Sequence, residues 1–379
     1  MRLLGLFWVA VLLVLAGGIG VLAWLGPPPA PPEAALQAPA PGPAPVPAAV
    51  PAAAPAAAAP AEATPATANT ATQAGTPAAT APPAPALPPG APEPPPLRLA
   101  EARPAGPDPV IAPPDDALLE PSRHGLVPRL GPEGRSSIRT YARAFDREDR
   151  RPRIGLIINN IGLFAQHSEE AIRRLPGGVT LAFSPYAIRQ GPLLERARAR
   201  GMEVLVALPL EPQGFGAQAD PGERALLTSL TVGENLDRLE WALSRIRGQV
   251  GAIGGLGGMR GERFAANAEL LGIVQASLTG RGLLYVDPRP GAPQPARAFG
   301  RSVDILIDEP SAVRVEVDRR LAALEALAQQ NGSALGLASD PVPSVVAAIA
   351  AWSAGLEARG LVIAPITVLI RRPTEQASR

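Results

Sequence analysis

The chain has 379 residues, 48 of them proline, no cysteine, and a formal net charge of +1. Without cysteine there is no disulfide, no thiolate nucleophile and no cysteine-based zinc site, whichever redox compartment the chain occupies. Arginines spread among acids, with no basic run interleaved with aromatics, argue against a nucleic-acid partner.

The first element is an uncharged apolar run over 3–25, LLGLFWVAVLLVLAGGIGVLAWL. At 1.5 Å per residue, about 20 apolar residues cross the hydrocarbon core of a bilayer. Trp8 and Trp24 stand near its two ends, where interfacial anchors sit. Arg2 and the terminal amine precede it, and the next basic residue is Arg98, so the positive-inside bias puts the N-terminus in the cytoplasm. The rival is a cleaved signal peptide, with an apolar region of about 7–15 residues and a small-x-small site. This run is longer, and Val21, Leu22 and Ala23 make a poor site. Either reading exports the remainder. The expectation is a single-pass inner-membrane protein with its C-terminal domain in the periplasm.

Residues 26–97 are Pro, Ala, Thr and Gly with almost no charge. Proline denies the alanines a helix, and nothing there can be buried, so the segment is expected to be a disordered, polyproline-biased spacer. Residues 98–150 are transitional, with SSIRTYARAF over 136–145 as an arm that could pack onto the domain. The expected boundaries are 1–25 for the anchor, 26–115 for the linker, 116–150 for the arm and 151–372 for the folded domain.

From residue 154 short apolar runs alternate with helical periods. Strands are expected at 154–158, 179–183, 204–208, 250–253, 283–286, 303–307 and 334–338, with an eighth at 361–363. Helices are expected at 167–175, 190–200, 233–247, 264–279, 311–330 and 343–359. Continuous apolar strands with crossover helices mean a parallel sheet covered on both faces. Seven or eight such units favour a closed or nearly closed (β/α) barrel over an open sheet.

In such folds function sits at the C-terminal ends of the strands. Those ends carry Asn159 and Asn160, Ser184 and Tyr186, Glu211, the glycine-rich GGLGG at 254–258, Asp287, Asp308, and Ser339 with Asp340. Glu211 and Asp287 are candidates for an acid and base pair; acids at strand ends also serve as caps and turn-formers. Asn159, Asn160, Ser184, Tyr186 and Asp308 are candidate binding residues. No HxxxH or HExxH pair exists, and the two histidines, His124 and His167, do not make a zinc site. GAIGGLGGMRG fits neither phosphate-loop pattern, and no G-x-S-x-G elbow is present. No metal and no cofactor are expected.

Several stretches, in order, resemble the divergent polysaccharide deacetylase family: RIGLIINNIG, TLAFSPYA, ARARGMEVLVALPLEP, RGLLYVDPR, DILID, NGSALGLAS and LEARGLVIAPIT. The lead-in LLEPSRHGLVPRLGPEGRSSIRTYARAF is similar too, so the resemblance covers about 117–370. It implies a distorted seven-stranded (β/α) barrel and distant kinship with metal-dependent carbohydrate N-deacetylases. It also implies two aspartates at the end of the first strand, serving as base and metal ligand, where this chain has Asn159 and Asn160. The histidine of the family's Gly-His-Glu triplet is Met202, and Leu210 and Gly254-Gly255 also depart from the pattern; Glu211, Asp287 and Asp308 match it. An amide carries no negative charge and ligates weakly, so water activation by a divalent ion loses its support.

Three functions follow as expectations. One is a degenerate deacetylase-like domain that binds an envelope glycan, peptidoglycan among the possibilities, or an envelope protein. The second is a metal-independent glycan hydrolase using Glu211 and Asp287. The third is a structural interaction domain of the envelope.

Overall fold

The computed structural model describes residues 109–374. The expected membrane span at 3–25 and the linker to residue 108 lie outside the described residues. Among the described residues no helix is long and apolar enough to cross a membrane.

A small antiparallel hairpin comes first, β1 (Leu119–Ser122) with β2 (Gly125–Pro128), then a short helix, α1 (Ser137–Thr140). The main sheet follows: β3 (Arg153–Ile161), β4 (Thr180–Phe183), β5 (Val204–Ala207), β6 (Gly251–Ile253), β7 (Leu284–Asp287), β8 (Gly300–Ser302), β9 (Ile305–Leu306) and β10 (Ser333–Ala338). The crossover helices are α2 (Ala165–Arg174), α3 (Gly191–Ala199), α4 (Val232–Ser244), α5 (Glu262–Ala266), α6 (Ala268–Gly280), α7 (Arg314–Asn331) and α8 (Pro343–Ser353). Strand β11 (Val362–Ile363) and helix α9 (Ile366–Leu369) end the fold.

All pairings of the main sheet are parallel, in the order β8-β7-β6-β5-β4-β3-β10-β9, with β11 beside the start of β3. Strand β8 pairs with β7, and β9, only two residues later, pairs with β10. The two ends of the row therefore run along one stretch of chain, and the sheet is curled. The expected barrel is thus a curled parallel sheet with a broken sixth strand. Val303 and Asp304 interrupt that strand: the Val303 N–H bonds to the Asp287 carbonyl at 2.9 Å, the Asp304 N–H to Leu335 at 2.9 Å.

The unbroken apolar runs of β3, β4, β5, β7 and β10 have a simple cause: both faces of those strands are buried. Leu156, Ile158, Val204 and Val206 pack with helix residues such as Ile172, Leu239, Leu321 and Val346. The alternate residues Ile157, Leu205, Ala207, Leu284, Leu335 and Leu337 form a second core inside the curl. That inner core is completed by residues outside the strands: Ile111 just ahead of the N-terminal arm, Leu118 and Tyr141 from the arm itself, and Ile366 and Leu369 from α9. Gly155 marks the entry of that plug, because a Cβ there would lie 2.3 Å from the Leu369 side chain.

The helix expected at 264–279 is two helices. Asn267 leaves helical geometry (φ −87°, ψ 93°) and its side chain caps α6 by accepting the Leu270 N–H. The helix expected at 343–359 ends at Ser353, followed by a single 3-10 turn at Glu357–Arg359. Strand β3 runs to Ile161, so Asn159 and Asn160 lie within its last turn of pleat rather than beyond it.

Candidate functional site

The C-terminal ends of the strands form a polar rim built around β3. Asn159 is fully buried. Its Nδ2 donates to the Gly255 carbonyl at 3.1 Å, and its Oδ1 accepts the Asn160 N–H at 2.8 Å. Asn160 has φ +59°, the left-handed region that asparagine tolerates better than most residues. Its Nδ2 donates to Asp340 Oδ1, on the neighbouring β10 end, at 2.6 Å. The glycine loop after β6 closes over this contact. A Cβ on Gly257 (φ +56°) would sit 3.3 Å from Asn160 Nδ2 and 3.7 Å from each Asp340 carboxylate oxygen.

Asp308, following β9, completes the cluster. Its Oδ2 accepts the N–H groups of Ser339 at 2.7 Å and Asp340 at 3.3 Å. Its Oδ1 and the Oδ1 of Asn160 are both buried without a hydrogen-bond partner. Burial pushes the Asp308 carboxyl above its ordinary value, against the pull of those N–H bonds. Burial raises Asp340 as well, with the Asn160 amide opposing. Beside them Glu309 pairs with Arg260, which also lies 3.5 Å from Glu262.

The other expected residues occupy separate hydrogen-bond systems on the same rim. Glu211 is buried; one oxygen takes the N–H and hydroxyl of Thr228, and the other meets Arg263 at 3.0 Å. Asp287 is buried and held by Arg289 through both carboxylate oxygens, at 2.9 and 2.7 Å, and by the Arg289 N–H at 3.0 Å. No hydrogen bond or salt bridge joins Glu211 to Asp287 among the described residues. Ser184 is buried and accepts the Tyr186 N–H at 3.3 Å; the Tyr186 hydroxyl accepts the Arg224 N–H at 3.1 Å, and its ring leans on Trp241. Of the candidates, the structure joins Asn159, Asn160 and Asp308 through Gly255 and Asp340, and leaves Glu211, Asp287 and the Ser184–Tyr186 pair in systems of their own.

Sequence reasoning missed the arginines that hold these acids, Arg260, Arg263 and Arg289. Only Arg289 had a local signal: two residues after Asp287, it lies where an aspartate accepts a backbone N–H in an Asx turn. Tyr285 was also missed. Its buried hydroxyl has no partner, and a Cβ on Gly254 would come within 2.1 Å of it, which accounts for glycine at that position.

A metal fits these residues poorly. Among the described residues no group of three or more His, Asp or Glu side chains is placed to hold one. His124 bonds Asp237 at 2.6 Å, and His167 stacks against Phe164. At the end of β3 the Asn160 amide donates a proton toward Asp340, where a ligand set would offer lone pairs.

A family model described as divergent polysaccharide deacetylase matches residues 156–370. The fold is similar to that of an uncharacterised protein from Agrobacterium tumefaciens, 31% identical, with a TM-score of 0.59 over 64% of this chain and 98% of the other. More distant likenesses are the catalytic domain of a peptidoglycan N-acetylglucosamine deacetylase from Eubacterium rectale (14% identity, TM-score 0.39, 58% and 90% covered) and a family 4 carbohydrate esterase from Streptomyces lividans in complex with acetate (14% identity, TM-score 0.35, 55% and 89% covered). No curated protein matches.

Proposed function

The chain belongs to the divergent polysaccharide deacetylase family, and from that premise we propose that its domain binds an envelope glycan at the β3–β9–β10 rim without a catalytic metal. One observation carries the reading: the Asn160 amide donates to Asp340 at 2.6 Å. Two carboxylates facing each other at this point would need a shared proton or a cation between them, as like charges do at close range. An amide N–H supplies that positive end from within the protein. The Asn160–Asp340 contact needs no ion, and on this reading the Lewis acid and metal-bound water of deacetylation have no seat. What remains is suited to sugar hydroxyls. The partly exposed Asp340 carboxylate and the Arg260–Glu309 pair offer acceptors and donors at the surface of the rim.

Location is part of the proposal. The uncharged run at 3–25 anchors the chain in the inner membrane, and the Pro/Ala-rich segment carries the domain into the periplasm.

Calorimetric titration of the full-length chain with N-acetylglucosamine oligomers and peptidoglycan fragments tests the binding. Saturable association that a chelator does not change, and that Asn160→Ala weakens, is the expected result. Glycosidic cleavage abolished by Glu211→Gln would replace this reading with a hydrolase. Neither binding nor turnover would replace it with a protein-interaction role.

A further inference from the structure

At the opposite end of the barrel, where the strands begin, a cavity of about 490 Å³ lies between the N-terminal arm and the C-terminal tail. Four arginines line it: Arg139 on α1, Arg147 after it, and Arg371 and Arg372 after α9. Among the described residues no carboxylate lines it, and Phe299 and Ile370 are part of its apolar wall. None of the four guanidinium groups makes a salt bridge among the described residues. Elsewhere the domain pairs its arginines readily, as Arg281 with Glu120 and Glu240, and Arg301 with Asp304. Guanidinium groups stay charged at any working pH. Four gathered on one concavity repel one another and focus a positive potential into it.

Both walls are fixed by backbone hydrogen bonds. Arg371 exchanges N–H and carbonyl with Gly300, at 2.8 and 3.0 Å. The helix bearing Arg139 is tied to the barrel by the Ile138 N–H, which bonds the Gly282 carbonyl at 3.2 Å. The charges therefore stand on a scaffold formed in advance of any ligand, which lowers the cost of association.

We propose that this cavity binds a phosphate-bearing ligand, its phosphate held by the arginines and its body against Phe299 and Ile370. A single carboxylate would leave most of the charge unmatched. A phosphate monoester carries about −1.5 to −2 at pH 7 and offers three acceptor oxygens. Guanidinium forks match those oxygens in bidentate fashion. The site lies at the far end of the barrel from the glycan rim and does not depend on it.

The test is titration of the full-length chain with inorganic phosphate, glycerol phosphate and short-chain phosphatidic acid, with short-chain phosphatidylcholine as the zwitterionic control. The variants are R371Q with R372Q, and separately R139Q; R173Q, on the outer helix α2, is the control. Binding of at least one phosphate probe to the wild type is expected, weakened about tenfold or more in the double variant, intermediate in R139Q and unchanged in R173Q. All four cavity arginines are exposed, so the variants are expected to melt like the wild type. Preference for phosphatidic acid would identify a lipid headgroup as the source of the phosphate, and preference for the soluble probes a free phosphorylated compound. Absence of binding by every phosphate probe, or equal binding by wild type and double variant, overturns the proposal.

Discussion

The two ends of the barrel are built on opposite principles. The end where strands finish is polar, and its acids are held one at a time: Glu211 by Thr228 and Arg263, Asp287 by Arg289, Glu309 by Arg260. The end where strands begin is plugged by apolar side chains from the arm and tail, with Tyr141, Ile366 and Leu369 reaching the inner core. A single buried acid, Glu203, sits there and accepts the N–H groups of Arg143 and Thr367 and the Thr367 hydroxyl. The apolar plug that packs the fold and the glycan rim are thus kept at separate ends. The plug secures the barrel, while the rim carries polar groups whose bonding is incomplete. Changes to the plug should move stability and leave glycan affinity alone, whereas changes to the rim should move glycan affinity.

The largest effect is expected at Tyr141. Its ring is buried in the plug and its hydroxyl accepts the Asp115 N–H at 2.8 Å. Replacement by alanine removes a large core side chain and orphans that donor, for a loss of about 3–5 kcal/mol in denaturant unfolding. Glycan affinity of the folded fraction should stay within about twofold, a change of under half a kcal/mol. A parallel fall in affinity would break the division between the two ends.

Glu203 gives the next effect, through pH. Burial pushes its carboxyl from an ordinary 4.5 up to about 7, outweighing the bonds from Thr367 and Arg143. The folded state then keeps a proton that the unfolded chain releases. The stabilisation is complete below the unfolded value and is lost as pH rises through about 7. Stability should decline by roughly 3 kcal/mol between acid and mildly alkaline conditions. Glu203→Gln should flatten the profile in that window; an unchanged slope would assign it to other groups.

At the rim, Asn160→Asp exchanges the N–H donor for a second carboxylate against Asp340, and should cost about 1–3 kcal/mol at neutral pH. In the double variant with Asn159→Asp, added divalent cations should recover part of that loss, and they should not stabilise the wild type. Thermal melts with and without magnesium or zinc measure both. The smallest effect is expected from Arg263→Gln. Arg263 is largely exposed, so its pair with Glu211 contributes little, within about 1 kcal/mol, while Thr228 holds the carboxylate in place.

The longer strands were legible because they are buried on both faces, and continuous apolar runs such as IGLII at 154–158 have few other uses. The pattern blurred where local chemistry overrides periodicity. Asn267 breaks one helical pattern by capping its second half, and the sixth strand is split at Val303 and Asp304 because it serves two neighbours. For the rim, strand ends identified the acids and asparagines, since fold class alone fixes where those ends point. Their partners were not legible: Arg263 is 52 positions from Glu211 in the chain and Asp340 is 180 from Asn160, and single-sequence patterns hold no long-range pairing. The arginine cavity escaped for the same reason, since it joins residues near 139 to residues near 371.

On the proposed reading, the Asn160–Asp340 contact stands where a metal would. Elemental analysis of the purified full-length chain, alongside an acetate-release assay on N-acetylglucosamine oligomers with and without a chelator, tests it most directly. Far less than one equivalent of zinc or other transition metal per chain is expected, with no acetate release in either condition. Close to one equivalent of zinc, with acetate release that the chelator abolishes, would contradict it.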